Sequence, residues 1–149
     1  MDKCFAACGC DDLEGITNSD LDRFTDNIEN VLNDEKGRRL FRNFMITCKM
    51  KHGRRALDLW EHNERLLNYS EDAESASFRS YLRDVERLLE ETENVEELDF
   101  ATIERLASAR DAENKEEIVE ALKTIKLEST KALRKEYSAF RHRFISPKY

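Results

Sequence analysis

Thiols, imidazoles and clustered charges are the groups in this sequence whose chemistry is worth testing first. Cys4, Cys8 and Cys10 stand together in the first ten residues, and only Cys48 follows. Their C-x3-C-x-C spacing lacks the paired C-x2-C hairpins of structural zinc sites and has no histidine beside it, so no metal is expected. Acylation of Cys4, Cys8 and Cys10 would attach the chain peripherally to a membrane; a flexible tail with incidental thiols is the plainer reading. Asp2 follows Met1, where N-myristoylation needs glycine. His52, His62 and His142 lie far apart, and none makes a helical metal pair. Their charged neighbours mark them as solvated surface histidines. No Ser/His/Asp grouping is suggested by the spacing, and no cofactor is expected. The acidic stretch from Glu86 to Asp99 reads as a solvated helix end and loop, not as a carboxylate metal site. The chain therefore reads as a binding protein and not as an enzyme.

One basic segment contrasts with the rest. Lys49-Met50-Lys51-His52-Gly53-Arg54-Arg55 stands in a chain of net charge −7. It reads as an exposed loop able to face an acidic protein or anionic lipid headgroups. Lys51, Arg54 and Arg55 are its candidate partner-binding residues. The acidic total argues against nucleic acid as the main partner, because phosphate binding needs clustered cations. Cysteines gathered at one end do not make a secreted disulfide scaffold, and no apolar run reaches the roughly 18 residues of a membrane span. These features predict a cytoplasmic monomer.

The elements that must position these residues are helices. Charged residues make up 38% of the chain, well above the roughly 25% of an average globular protein. Four glycines and one proline leave few helix breakers, which favours helices with an apolar stripe and a charged face. Residues 1–16 carry no helical repeat and read as a tail; 17–149 read as one helical domain. After possible caps at Thr17 to Asp20, Leu21, Phe24, Ile28, Val31 and Leu32 fall on one helix face. Asn33 to Gly37 reads as a turn. Leu40, Phe41, Phe44, Met45 and Cys48 form the next stripe, and Leu57, Trp60, Leu66 and Leu67 a third. Further stripes run through Phe78 to Leu89, Leu98 to Leu106, Ile118 to Leu127, and Ala132 to Phe144, with Pro147 closing the last. No period-two segment is long enough for a strand. The fold class is all-α, a single bundle of about seven to nine helices.

Three segments resemble the regulator of G-protein signalling (RGS) domains. Gly37-Arg38-Arg39-Leu40-Phe41-Arg42-Asn43-Phe44-Met45 is similar to that family's glycine and "LFRxFL" helix. Leu57-Asp58-Leu59-Trp60 resembles its "IDFW" segment. Tyr137 to Phe140 and Phe144-Ile145-Ser146-Pro147-Lys148-Tyr149 resemble its ending. The resemblance spans roughly residues 19–149. It implies a bundle of about nine helices that docks on a Gα subunit and holds the GTPase switch loops near their transition-state geometry, without adding a catalytic side chain.

The family's usual contacts are a Glu-Asn pair before "IDFW", an asparagine in a later loop, and an Asp/Ser/Arg set in the last helix. Here Arg55 and Ala56 occupy the place of that pair. In the last helix two registers are open. Arg143-Phe144 in the family's Arg-Phe place puts Ala139 and Phe140 where Asp and Ser belong. The register set by Tyr137 to Phe140 puts Ala139 on the arginine. The resemblance thus names Arg55, Ala56 and Arg143 beside Lys51 and Arg54. It carries over the scaffold more fully than the contacts that speed hydrolysis. An RGS-like adaptor that binds another protein or peptide through the basic loop is the alternative it leaves.

Overall fold

A computed structural model of the chain describes residues 15–69 and 75–145. The cysteine tail and the Ser146-Pro147 stop lie outside the described residues. Among those described there are eight helices and no strand: α1 (Asn18–Phe24), α2 (Ile28–Leu32), α3 (Glu35–Thr47), α4 (Lys51–Leu67), α5 (Ser75–Thr92), α6 (Phe100–Asp111), α7 (Lys115–Ala132) and α8 (Arg134–Ile145). The all-α expectation is met. The chain divides into two compact units, Met1–Arg54 with Leu133–Tyr149, and Arg55–Ala132.

In the first unit, side-chain caps break what the apolar stripe alone would join. Leu21 to Leu32 reads as one helical face, but the chain makes two helices. Thr17 starts α1 with a reciprocal capping box: its hydroxyl accepts from the Asp20 N–H, and the Asp20 carboxylate accepts from the Thr17 N–H. Asn27 then restarts the chain as α2 by accepting from the Asn30 N–H at 3.0 Å. The expected turn from Asn33 to Gly37 shrinks to Asn33 and Asp34. The Asp34 carboxylate caps α3 by accepting from the Lys36 and Gly37 N–H groups, so Gly37 falls inside the helix.

The core of this unit is aromatic. Phe41 meets Tyr137 and Phe140, with ring centroids at 6.2 and 5.1 Å. Phe44 meets Phe140 and Phe144 at 5.7 and 6.3 Å. Contacts that advance together along both segments mean that α3 and α8 run in the same direction. The Tyr137 hydroxyl donates to the Phe24 carbonyl at 2.7 Å, and the Arg141 Nε–H donates to the Thr25 carbonyl at 2.7 Å. These two bonds tie α8 to the end of α1 and satisfy carbonyls left open where that helix stops.

In the second unit, α6 packs on both α5 and α7. Asp99 caps α6 by accepting from the Ala101 N–H, and Glu128 of α7 accepts from the Asp99 N–H and the Thr102 hydroxyl, both at 2.9 Å. Trp60 is buried, and its indole N–H donates to Thr130 Oγ1 at 3.1 Å. Fully buried Asn63 donates to the Leu122 carbonyl at 2.9 Å. Ile118, Leu122 and Ile125 supply the apolar face of α7. Leu127, expected at the margin of that stripe, is 68% exposed, as is Phe100 at 69%.

Candidate interaction surface

The basic segment is a helix start and not a loop. Only Cys48, Lys49 and Met50 connect α3 to α4. The Met50 N–H donates to the Met45 carbonyl at 2.8 Å and the Lys49 N–H to the Ile46 carbonyl at 3.1 Å. This paired pattern ends α3 and places its left-handed residue at Lys49, with φ of 58°. Glycine usually takes that position, and Gly53 invites the assignment from sequence. Gly53 instead lies in the first turn of α4, where a Cβ would meet Met45 Sδ at 2.6 Å and Glu136 Cγ at 2.7 Å. Its bare Cα admits α8 against the start of α4. The same contact brings the Glu136 side chain beside the first turn of α4, whose helix dipole favours negative charge there.

Helix geometry then sorts the candidates. Lys51 and Arg55 are exposed one turn apart on α4, and Arg54 is half-buried. α4 has no acidic residue in its first turn, so its cations sit at the end where the dipole disfavours them. That arrangement suits an anionic partner better than it suits helix stability. Ala56 is fully buried, so its side chain faces the core and not a partner. Arg143 lies in the last turn of α8, half-buried, where a cation complements the helix C-terminus.

Within the second unit, Arg55 borders an open cleft of about 410 Å³. Asp58, Glu61, His62 and Arg65 of α4 line it together with Glu91 at the end of α5 and Asn94 just beyond. The residues contributed by α4 recur at spacings of three and four, which gathers them on one face. His62 corrects the expectation of a surface imidazole: it is only 5% exposed. Its Nδ1 lies 2.8 Å from Glu91 Oε2 and its Nε2 lies 3.4 Å from Asp84 Oδ1, joining α4 to α5. Asp84 also pairs with Arg87 at 3.2 Å. The burial follows from the α4 register, because His62 sits between Leu59 and Leu66 on the inward face. Glu61 and Arg65, its charged neighbours in sequence, line the same cleft but are less buried than the imidazole. His52 is half-buried and His142 exposed.

The acidic stretch is engaged in part by this packing. Glu86 takes the Arg110 guanidinium at 2.9 Å, and Glu91 takes His62. Among the described residues no group of three or more His, Cys, Asp or Glu side chains is placed to hold a metal ion. No helix among them is long and apolar enough to cross a membrane. No protein-family model, curated protein or solved structure matches the chain.

Proposed function

We propose that this chain is an RGS-like protein-interaction domain whose partner is a Gα subunit. The observation that carries the reading is the aromatic cluster of the first unit. There Phe41 and Phe44, from the segment similar to the family's "LFRxFL" helix, pack on Tyr137, Phe140 and Phe144, from the segment similar to its ending. Segments nearly a hundred residues apart in sequence are expected to meet in this way when both belong to one scaffold. Lys51 and Arg55, exposed one turn apart on α4, offer positive charge to an acidic partner face. Their action would be positional: holding a partner in one conformation needs complementary shape and charge, and no reacting side chain.

A second reading, an adaptor without GTPase-activating activity, draws support from Arg55 and Ala56. At the two positions where the resemblance places a Glu-Asn pair, the chain has an exposed cation and a fully buried methyl. Neither can accept hydrogen bonds from a switch loop as that pair does. Single-turnover GTP hydrolysis by several Gα subunits, with and without the chain, together with binding to their transition-state-mimicking forms, separates the two readings. Acceleration supports an active regulator. Binding to Gα without acceleration supports a regulator that has lost that activity. Neither acceleration nor binding leaves the adaptor.

A further inference from the structure

We draw no further inference here: the strongest candidate, the open cleft between α4 and the C-terminal end of α5, belongs to the surface already described, and its two arginines and three carboxylates balance so nearly that nothing in it selects one class of ligand.

Discussion

Gly37 lies so close to Val31 that a Cβ built on it would stand 2.8 Å from the Val31 carbonyl oxygen and 3.0 Å from Phe24. The glycine that opens the family-like helix is therefore needed for packing, since it lets α3 turn back tightly against α2. Gly37→Ala is expected to destabilise the protein by about 1–3 kcal/mol, the usual cost of forcing atoms into a filled core. Urea unfolding checks this, with a lower midpoint and an unchanged slope expected. An unaltered midpoint would mean that the contact relaxes at no cost.

The helical periodicity of apolar residues was sufficient to read the fold class, because each stripe finds a core to face. Boundaries were harder to read for a specific reason. Asn27 and Asp34 cap helices inside what looks like a continuous stripe and a turn, and side-chain caps leave only a weak trace in sequence. Gly53 drew the helix start downstream, because the left-handed position is held by Lys49 and not by a glycine. At the surface, Lys51 and Arg55 were legible as exposed cations. The burial of Ala56 and His62 depends on the register of α4, which a glycine misread as a loop residue conceals.

Among the described residues, two that are not glycine occupy the left-handed region at helix ends, Lys49 with φ of 58° after α3 and Glu113 with φ of 54° after α6. Each makes the same pair of bonds; Glu113 and Asn114 donate to the Arg110 and Ala109 carbonyls. L-residues pay roughly 1–2 kcal/mol in this conformation, and glycine avoids that cost while losing some of it to chain entropy. Glu113→Gly, at an exposed position, should raise stability by up to about 1 kcal/mol. Thermal unfolding would read it as a higher midpoint; a lower one would show that the Glu113 side chain contributes more than its backbone costs.

His62 and His142 should respond unequally to truncation. His62→Ala removes a buried ring and the 2.8 Å contact to Glu91, and is expected to cost roughly 1–3 kcal/mol. His142→Ala, on the exposed face of α8, should stay within about 0.5 kcal/mol of the parent. Denaturant unfolding of the two variants compares them directly. Equal effects would contradict the buried position of His62.

Asp20 and Tyr81 contribute to the acid and alkaline limits of stability. Bonding to the Thr17 backbone N–H and to Arg23 holds the Asp20 carboxyl down at about 2. A lowered folded value favours folding above the ordinary aspartate range, so this contribution should disappear as pH falls from about 4 through 2. Asp20→Asn should flatten that acid limb. Burial, reinforced by Tyr69, pushes the Tyr81 hydroxyl up to about 12. A raised value favours the protonated phenol, so its contribution is complete below about pH 10 and lost as pH rises through 12. Absorbance of the phenolate should show one late-ionising tyrosine missing from Tyr81→Phe. An identical alkaline titration in that variant would reject the assignment.

Binding to purified Gα subunits, held in turn in their GDP, GTP-analogue and transition-state-mimicking forms, tests the proposed function most directly. Saturable binding to at least one form is expected, weakened at least tenfold by Lys51→Glu with Arg55→Glu while circular dichroism shows the helix content intact. That loss corresponds to about 1.4 kcal/mol, the scale of a modest interface charge pair. No binding to any Gα in any form would contradict the account.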